Sequence, residues 1–292
     1  MTKFTGIMPA LVTPLKPDES LNRTALTKLV TDLVSAGADG FYVGGATGEG
    51  IALRREVREE LAEGAIAAAG GRPCIIHIAS TDFSEATALA KHAEKCGAAG
   101  ISAIPPLFFS YRADDVYHYY KALAEAVHIP LMIYYNPAAG FKINAEFAAR
   151  AFQIDNVTAI KWTSSDYFGM LMVKELTHGE MNVINGPDEM LLMGLSAGAD
   201  GGIGTTYNFM FDIIKEVYDR FRADDIDGAR RAQTRADKII NALFEYNIIP
   251  ATKAILEKQG YAVGNAAFPL TRYTEEEKER ICAKIAAAGL VF

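Results

Sequence analysis

Short apolar runs alternate with amphipathic stretches through the first three quarters of the chain. The apolar, β-like runs begin near Gly6 (GIMPALVTP), Gly40 (GFYVGG), Pro73 (PCIIHIAS), Gly100 (GISAIPP), Pro130 (PLMIYYN), Val157 (VTAIKWTS), Met181 (MNVINGPD) and Gly201 (GGIGTTY). Between them, apolar residues recur at helical spacing over residues 21–37, 54–70, 82–97, 113–128 and 166–179, several of these stretches ending in the glycine that stops a helix. Strands that are apolar along their whole length predict a parallel sheet covered on both faces. Eight strand–helix units are the closing number of a TIM barrel, and their span of residues 1–224 is close to the roughly 250 residues typical of that fold. An open doubly wound sheet is the competitor. It usually carries a glycine-rich phosphate turn after its first strand, where this chain has Thr13-Pro14-Leu15. The expectation is therefore an α/β fold, a TIM (β/α)8 barrel.

Beyond residue 224 the alternation stops. Residues 226–247, 249–259 and 274–288 read as further helices, with no linker rich in Gly, Ser or Pro before them. Residues 225–292 are expected to form a C-terminal helical extension packed on the barrel side or on a neighbouring subunit.

Composition narrows the partners. Half of the 292 residues are hydrophobic and the net charge is −7, which provides a large core and no basic face for nucleic acid. Isolated pairs such as Arg54-Arg55 and Arg230-Arg231 read as solvated helix faces. No apolar run approaches a membrane span, and Pro9 and Pro14 interrupt the apolar stretch of MTKFTGIMPALVTP, so no secretory signal is expected. Cys74, Cys96 and Cys282 lack CxxC spacing and read as core-filling thiols in a cytoplasmic protein.

The candidate chemistry centres on Lys161 in NVTAIKWTSSD, a lysine inside a compact strand-like run with apolar neighbours on both sides. Burying an ammonium favours the neutral amine that a nucleophile needs; the alternative is a lysine that snorkels out at the strand end. Barrel enzymes work at the C-terminal ends of their strands. The second strand there ends in Gly44–Glu49 (GGATGE), a turn of little bulk whose N–H groups can hold a carboxylate. The fifth ends in Tyr134-Tyr135-Asn136, the sixth in Lys161, Thr163 and Ser164, the seventh in Gly186, Asp188 and Glu189, and the eighth in Gly204, Thr205 and Thr206. The five histidines, His77, His92, His118, His128 and His178, show no metal-ligand spacing, and His77 reads as a satisfied core histidine. An amine, a phenol and an anion cradle in a mouth expected to hold neither metal nor other cofactor suit imine chemistry on a 2-oxo acid. Lys161 attacks the keto carbon, and Tyr135 carries the proton.

These motifs also carry a resemblance. GGATGE (Gly44–Glu49), YYNPAAG (Tyr134–Gly140), IKWTSSD (Ile160–Asp166), NGPDE (Asn185–Glu189) and AGADGGIGTTYN (Ala197–Asn208) resemble the dihydrodipicolinate synthase and N-acetylneuraminate lyase superfamily, with NG-x-DE and ADGGIG closest to the lyase branch. The resemblance implies cleavage of N-acetylneuraminate to N-acetylmannosamine and pyruvate, with the imine on Lys161 and proton transfer by Tyr135. It implies that Thr47, Ala46 and nearby backbone hold the pyruvyl carboxylate. Thr163, Gly186, Asp188, Glu189 and Thr205 then meet the sugar hydroxyls. It further implies a homotetramer built as a dimer of dimers.

Three departures stand against that pattern. Ala46 replaces a usual serine, Phe108-Phe109 replaces a usual tyrosine pair, and the loop after Tyr135 is shorter by about two residues. The serine and a tyrosine belong to a hydroxyl relay, whose loss lowers rate without removing the imine-forming lysine. Dihydrodipicolinate synthase is the nearest rival, but the PAAGFK loop (residues 137–142) lacks its usual arginine. Other sugar-acid aldolases or dehydratases, and a non-catalytic 2-oxo acid binder, are the remaining alternatives.

Overall fold

The computed structural model describes residues 3–292. Eight strands, β1 (Gly6–Pro9), β2 (Phe41–Val43), β3 (Cys74–His77), β4 (Gly100–Ala103), β5 (Leu131–Tyr135), β6 (Val157–Trp162), β7 (Asn182–Asn185) and β8 (Gly201–Gly204), form one parallel sheet. From β2 onward each strand pairs with the next, and β8 pairs with β1. The remaining seam closes through a bridge between Ala10 and Tyr42, where the Leu11 N–H donates to the Tyr42 carbonyl at 2.9 Å. The chain is thus the TIM barrel that its alternation predicts.

Helices α1 (Arg23–Ser35), α2 (Arg55–Ala68), α3 (Phe83–Lys95), α4 (Ala113–Glu125), α5 (Ala145–Ala151), α6 (Tyr167–Leu176), α7 (Leu191–Ser196) and α8 (Phe211–Arg222) cover the outside. Several starts are set by local chemistry. Asn22, Asp82, Asn144 and Asp166 each accept a hydrogen bond from a backbone N–H of the first turn, satisfying a group the helix cannot.

Alternation along the strands divides the side chains between barrel interior and helical shell. The register places Lys161 opposite Tyr134 of β5 and Ile184 of β7, and places Trp162 opposite Tyr135. Lys161 therefore shares the interior with Tyr134. Tyr135 packs its ring against Trp162 on the other face, with centroids 4.6 Å apart. Trp162 is fully buried and donates its indole N–H to the Asp166 carbonyl at 3.0 Å, tying β6 to the start of α6.

Three further helices, α9 (Ile226–Leu243), α10 (Ile248–Lys258) and α11 (Glu275–Ala287), make up the extension. Gln233 of α9 accepts from the Leu192 N–H and donates to the Asp188 carbonyl, so it holds the turn that follows β7. Lys253 of α10 reaches the turn that follows β2, where its Nζ lies 2.6 Å from Glu49 Oε1. Both side chains are almost wholly removed from water, 2% and 0% exposed. The other Glu49 oxygen accepts from the Ala267 N–H at 2.5 Å, and Lys253 donates to the Asn265 carbonyl at 3.0 Å.

Glu49 has φ +59°, a left-handed conformation that costs a non-glycine residue about 1–2 kcal/mol. The buried ion pair over-determines the side chain and so holds that backbone in place. The next residue is glycine for a steric reason, since an added Cβ at Gly50 would run into the Gly44 carbonyl. Cys74 and Cys282 are buried as expected, but Cys96 is only part-buried at the end of α3, beside His92. It fills no core position.

Removing one member of a buried pair strands the other charge. Lys253→Met is expected to lower unfolding free energy by about 3–5 kcal/mol in denaturant titration, with Glu49→Gln added to Lys253→Met restoring part of it. An unchanged midpoint in Lys253→Met would mean that the pair contributes nothing to holding the extension.

Candidate active site

The C-terminal ends of the strands open into a cavity of about 500 Å³. Lys161 stands in its wall, buried at 5% exposure. Its ammonium lies over two rings, 4.3 Å from the centroid of Tyr134 and 4.7 Å from that of Tyr42. Among the described residues no protein acceptor forms a hydrogen bond or ion pair with it. The amine is held by packing and ring faces rather than by a carboxylate, which leaves its nitrogen unencumbered for chemistry.

Thr47 and Thr205 face Lys161 across the cavity, their hydroxyls 2.6 Å apart. In the Gly44–Gly50 turn, the N–H groups of Glu49 and Gly50 bond back to Ala46 and Gly45. Those of Ala46 and Thr47 meet no acceptor among the described residues. Two free donors and two hydroxyls lie together there, the kind of group that can receive a small anion.

Thr163 and Gly186 lead from this cavity into a second one, lined also by Asp188 and Glu189. The Thr163 hydroxyl is buried against Gly186 without a partner. Asp188 Oδ2 accepts from the N–H and the hydroxyl of Thr206, each at 2.7 Å. Burial pushes its carboxyl up to about 6, against the pull of those two bonds; Glu189 pushes the same way and Lys161 opposes. Gly204 has no side chain because a Cβ there would meet Asp188 Oδ1. A rigid carboxyl group and a second acid thus border a chamber leading away from the lysine, its other walls including Ile240, Leu243 and Phe244.

A third cavity lies on the far side of Tyr134, bordered by Ala46, Asn136, Ile104 and His77. It is mostly apolar. His77 sits in the barrel interior, edge-on to Tyr134 at 6.0 Å, and neither ring nitrogen has a hydrogen-bond partner. Burial, with Arg58 and Lys161 adding to it, holds the imidazole down at about 3. His77 is therefore a neutral, unsatisfied ring rather than the satisfied core histidine anticipated from its position.

The chain matches the dihydrodipicolinate synthetase family over residues 3–288. It belongs to that family. It is 36% identical to an N-acetylneuraminate lyase from Rhizobium meliloti (strain 1021) over 276 residues, 94% of this chain and 92% of the relative. It is 32% identical to a lyase of the same name from Salmonella paratyphi B over 254 residues, covering 86% and 85% of the two chains. Among solved structures, Proteus mirabilis N-acetylneuraminate lyase superposes with a TM-score of 0.94 at 29% identity, covering 99% of this chain and 100% of that one. This member of the family is an enzyme, a carbon–carbon lyase similar to those relatives.

Most of the site residues anticipated from sequence converge. Lys161, Ala46, Thr47, Thr163, Gly186 and Thr205 border the central cavity, and Asp188 and Glu189 border the chamber that continues from it. Tyr135 does not join them. Strand alternation turns it outward against Trp162 and places Tyr134 beside Lys161 instead. Tyr135 keeps a phenol raised by burial and by the nearby Asp166 charge, with Ser164 opposing. The sequence read YY at the strand end without a register against Lys161; counting two-residue alternation across the β5–β6 pair is the signal that separates them. Phe108 and Phe109 lie on an exposed loop tip, in a depression shared with Tyr111 and Phe141, away from the Lys161 cavity.

Lys253 and Gln233 escaped sequence reasoning because they act on the site's turns from outside the barrel. His77 supplies a pH test. Its folded value lies below the unfolded one, so between about 3 and the ordinary value of about 6.5 the unfolded chain binds the extra proton. Its contribution to stability is complete above 6.5 and lost as pH falls towards 3. The non-titrating His77→Phe is expected to show a shallower fall in melting temperature over that range than the unmodified protein. Parallel curves would mean the ring titrates normally.

Proposed function

We propose that this enzyme is a class I aldolase that cleaves N-acetylneuraminate to N-acetylmannosamine and pyruvate through an imine on Lys161. The observation that carries the proposal is the placement of that amine. It is buried, unpaired, beside the Tyr134 phenol, and faces a carboxylate cradle at Thr47 and Thr205. A 2-oxo acid seated with its carboxylate in the cradle presents its keto carbon to the amine.

The Lys161 nitrogen adds to the C2 carbonyl of the open-chain sugar acid, and loss of water leaves the protonated imine. The proton of the C4 hydroxyl passes to a base, the C3–C4 bond breaks, and its electron pair moves into the imine to give an enamine and a free aldehyde. Protonation at C3 and hydrolysis then release pyruvate and the amine. Tyr134, against the lysine, is assigned the proton transfer in place of Tyr135. Thr163, Gly186, Asp188 and Glu189 line the chamber leading away from the lysine and are assigned to the polyol. The reaction so written uses only side chains and water.

A second reading is a related sugar-acid aldolase or dehydratase. It is favoured by Ala46, which leaves an apolar surface rather than a hydroxyl next to Tyr134. Dihydrodipicolinate synthase activity is disfavoured by the absence of any arginine in residues 137–142.

We also propose a homotetramer built as a dimer of dimers in the cytoplasm. Two separate apolar surfaces support the assembly. Phe108 is 92% exposed at φ +78°, a conformation unusual for a bulky residue, with Phe109 beside it. Phe168 and Leu171 of α6 and Met193 of α7 are a second group among the exposed apolar side chains. Three free cysteines fit a reducing compartment.

Borohydride trapping with mass measurement and peptide mapping tests the activity. With N-acetylneuraminate, a reduced pyruvate adduct on Lys161 is expected. An adduct from pyruvate but none from the sugar acid would keep the aldolase and remove the substrate, and silence with both would leave a binder. Lys161→Ala is expected to abolish the adduct while the circular dichroism stays that of the unmodified protein.

The two tyrosines give a sharper comparison. Tyr134→Phe should lower kcat by about 10²–10⁴-fold while pyruvate trapping persists, and Tyr135→Phe should stay within a few-fold of the unmodified enzyme. The reverse order would return the proton transfer to Tyr135.

A further inference from the structure

We propose that Glu63, His92 and Cys96 form a zinc-binding site on the outer wall of the barrel, joining α2 to α3. His92 and Cys96 are four residues apart, so both point from one face of α3. Glu63 projects to meet them from α2. The three offer one ligand atom each, all within 4.8 Å of one another. They lie in the C-terminal halves of helices that run antiparallel to the strands, so the cluster is at the opposite end of the barrel from Lys161.

Two of the ligand-to-ligand distances match the edges of a tetrahedral site. His92 Nε2 lies 3.2 Å from Glu63 Oε1 and 3.5 Å from Cys96 Sγ. Zinc bonds of about 2.0 Å to nitrogen and oxygen and about 2.3 Å to sulfur give tetrahedral edges of about 3.3 Å and 3.5 Å. Cys96 Sγ also lies 3.8 Å from Nδ1 of the same ring, so the thiol sits beside the imidazole and must swing to the outer side of Nε2 for one ion to reach all three atoms, a water completing the fourth position. Imidazole, thiolate and carboxylate together are a donor set of borderline softness, which suits Zn²⁺ better than Mg²⁺ or Ca²⁺.

The surroundings orient the carboxylate. Arg23 holds its other oxygen, Oε2, at 3.4 Å and contacts Glu60 at 3.5 Å, leaving Oε1 to the histidine. Such outer contacts fix a ligand's direction. The Cys96 thiol is raised by partial burial and by Glu63, with Lys95 opposing, so metal binding exchanges the thiol proton for the ion and releases that proton to solvent. In the absence of metal the same atoms form only a His92–Glu63 hydrogen bond with the thiol beside it.

The full-length protein, treated with chelator and dialysed, is titrated with Co²⁺ and the near-ultraviolet sulfur-to-cobalt charge-transfer band is recorded. One equivalent per chain is expected to produce the band, and Zn²⁺ is expected to remove it by displacement. Cys96→Ala should abolish the band and Glu63→Gln should weaken Co²⁺ binding at least several-fold, while imine trapping with pyruvate stays unchanged in both. Cys74 and Cys282 remain in both variants as internal controls. Absence of the band in the unmodified protein, or an equal band in Cys96→Ala, would overturn the site. A zinc-dependent rise in melting temperature that survives Cys96→Ala would likewise overturn it.

Discussion

A carboxylate and an ammonium sealed away from water, Glu49 and Lys253, hold this structure's site in register. A closed barrel needs no extra helices to satisfy its sheet, yet the turn after β2 requires a residue in the left-handed region at Glu49. Local preference works against that conformation. The pair supplies what local preference lacks, because either charge left alone in that environment costs far more than the backbone strain. Burial pulls the Lys253 ammonium down from its ordinary value and Glu49 opposes that pull. On the opposite side of the mouth Gln233 secures the backbone of Asp188 by neutral hydrogen bonds. The extension thus grips the turns after β2 and β7, two of those at the mouth that holds Lys161.

Inside the barrel the upper core is not apolar. Tyr42, His77, Ser102, Tyr134 and Lys161 come from β2 to β6 and meet at one level, linked by ring edges and by the Tyr42–Ser102 hydrogen bond of 3.0 Å. Rings can cover an amine without presenting it with a counter-ion. A carboxylate in the same place would hold the lysine charged and compete with the substrate for it. The chamber beyond Lys161 has a mixed wall, with Asp188 and Glu189 set among Ile240, Leu243 and Phe244.

The architecture was legible because it rests on periodicity. Strand runs and helical spacing located the elements, and helix limits such as 113–128 differ from the observed α4 only at the frayed C-terminal end. Lys161 was legible for a related reason, as a charge embedded among apolar neighbours. What escaped depends on pairing between distant segments. The exchange of Tyr135 for Tyr134 is a one-residue matter of phase, which inverts a side chain's face and can be read only against a neighbouring strand. Lys253 looked like an ordinary helical lysine because its partner stands 204 positions earlier, as the numbers 253 and 49 give by subtraction. Cys96 looked like filler until its helix was set beside α2.

The C-terminal placement of Lys253 has a consequence for biogenesis. A ribosome delivers all eight strands before it delivers α10, and domains begin to fold as they emerge. The barrel can close early, but the Glu49 carboxylate lacks its ammonium until α10 arrives. A chain released before α10 would carry Lys161 and every strand while missing the clamp on the turn after β2. A chain cut short before α10 therefore differs from the longer one at the mouth, where Glu49 stands, rather than in the sheet.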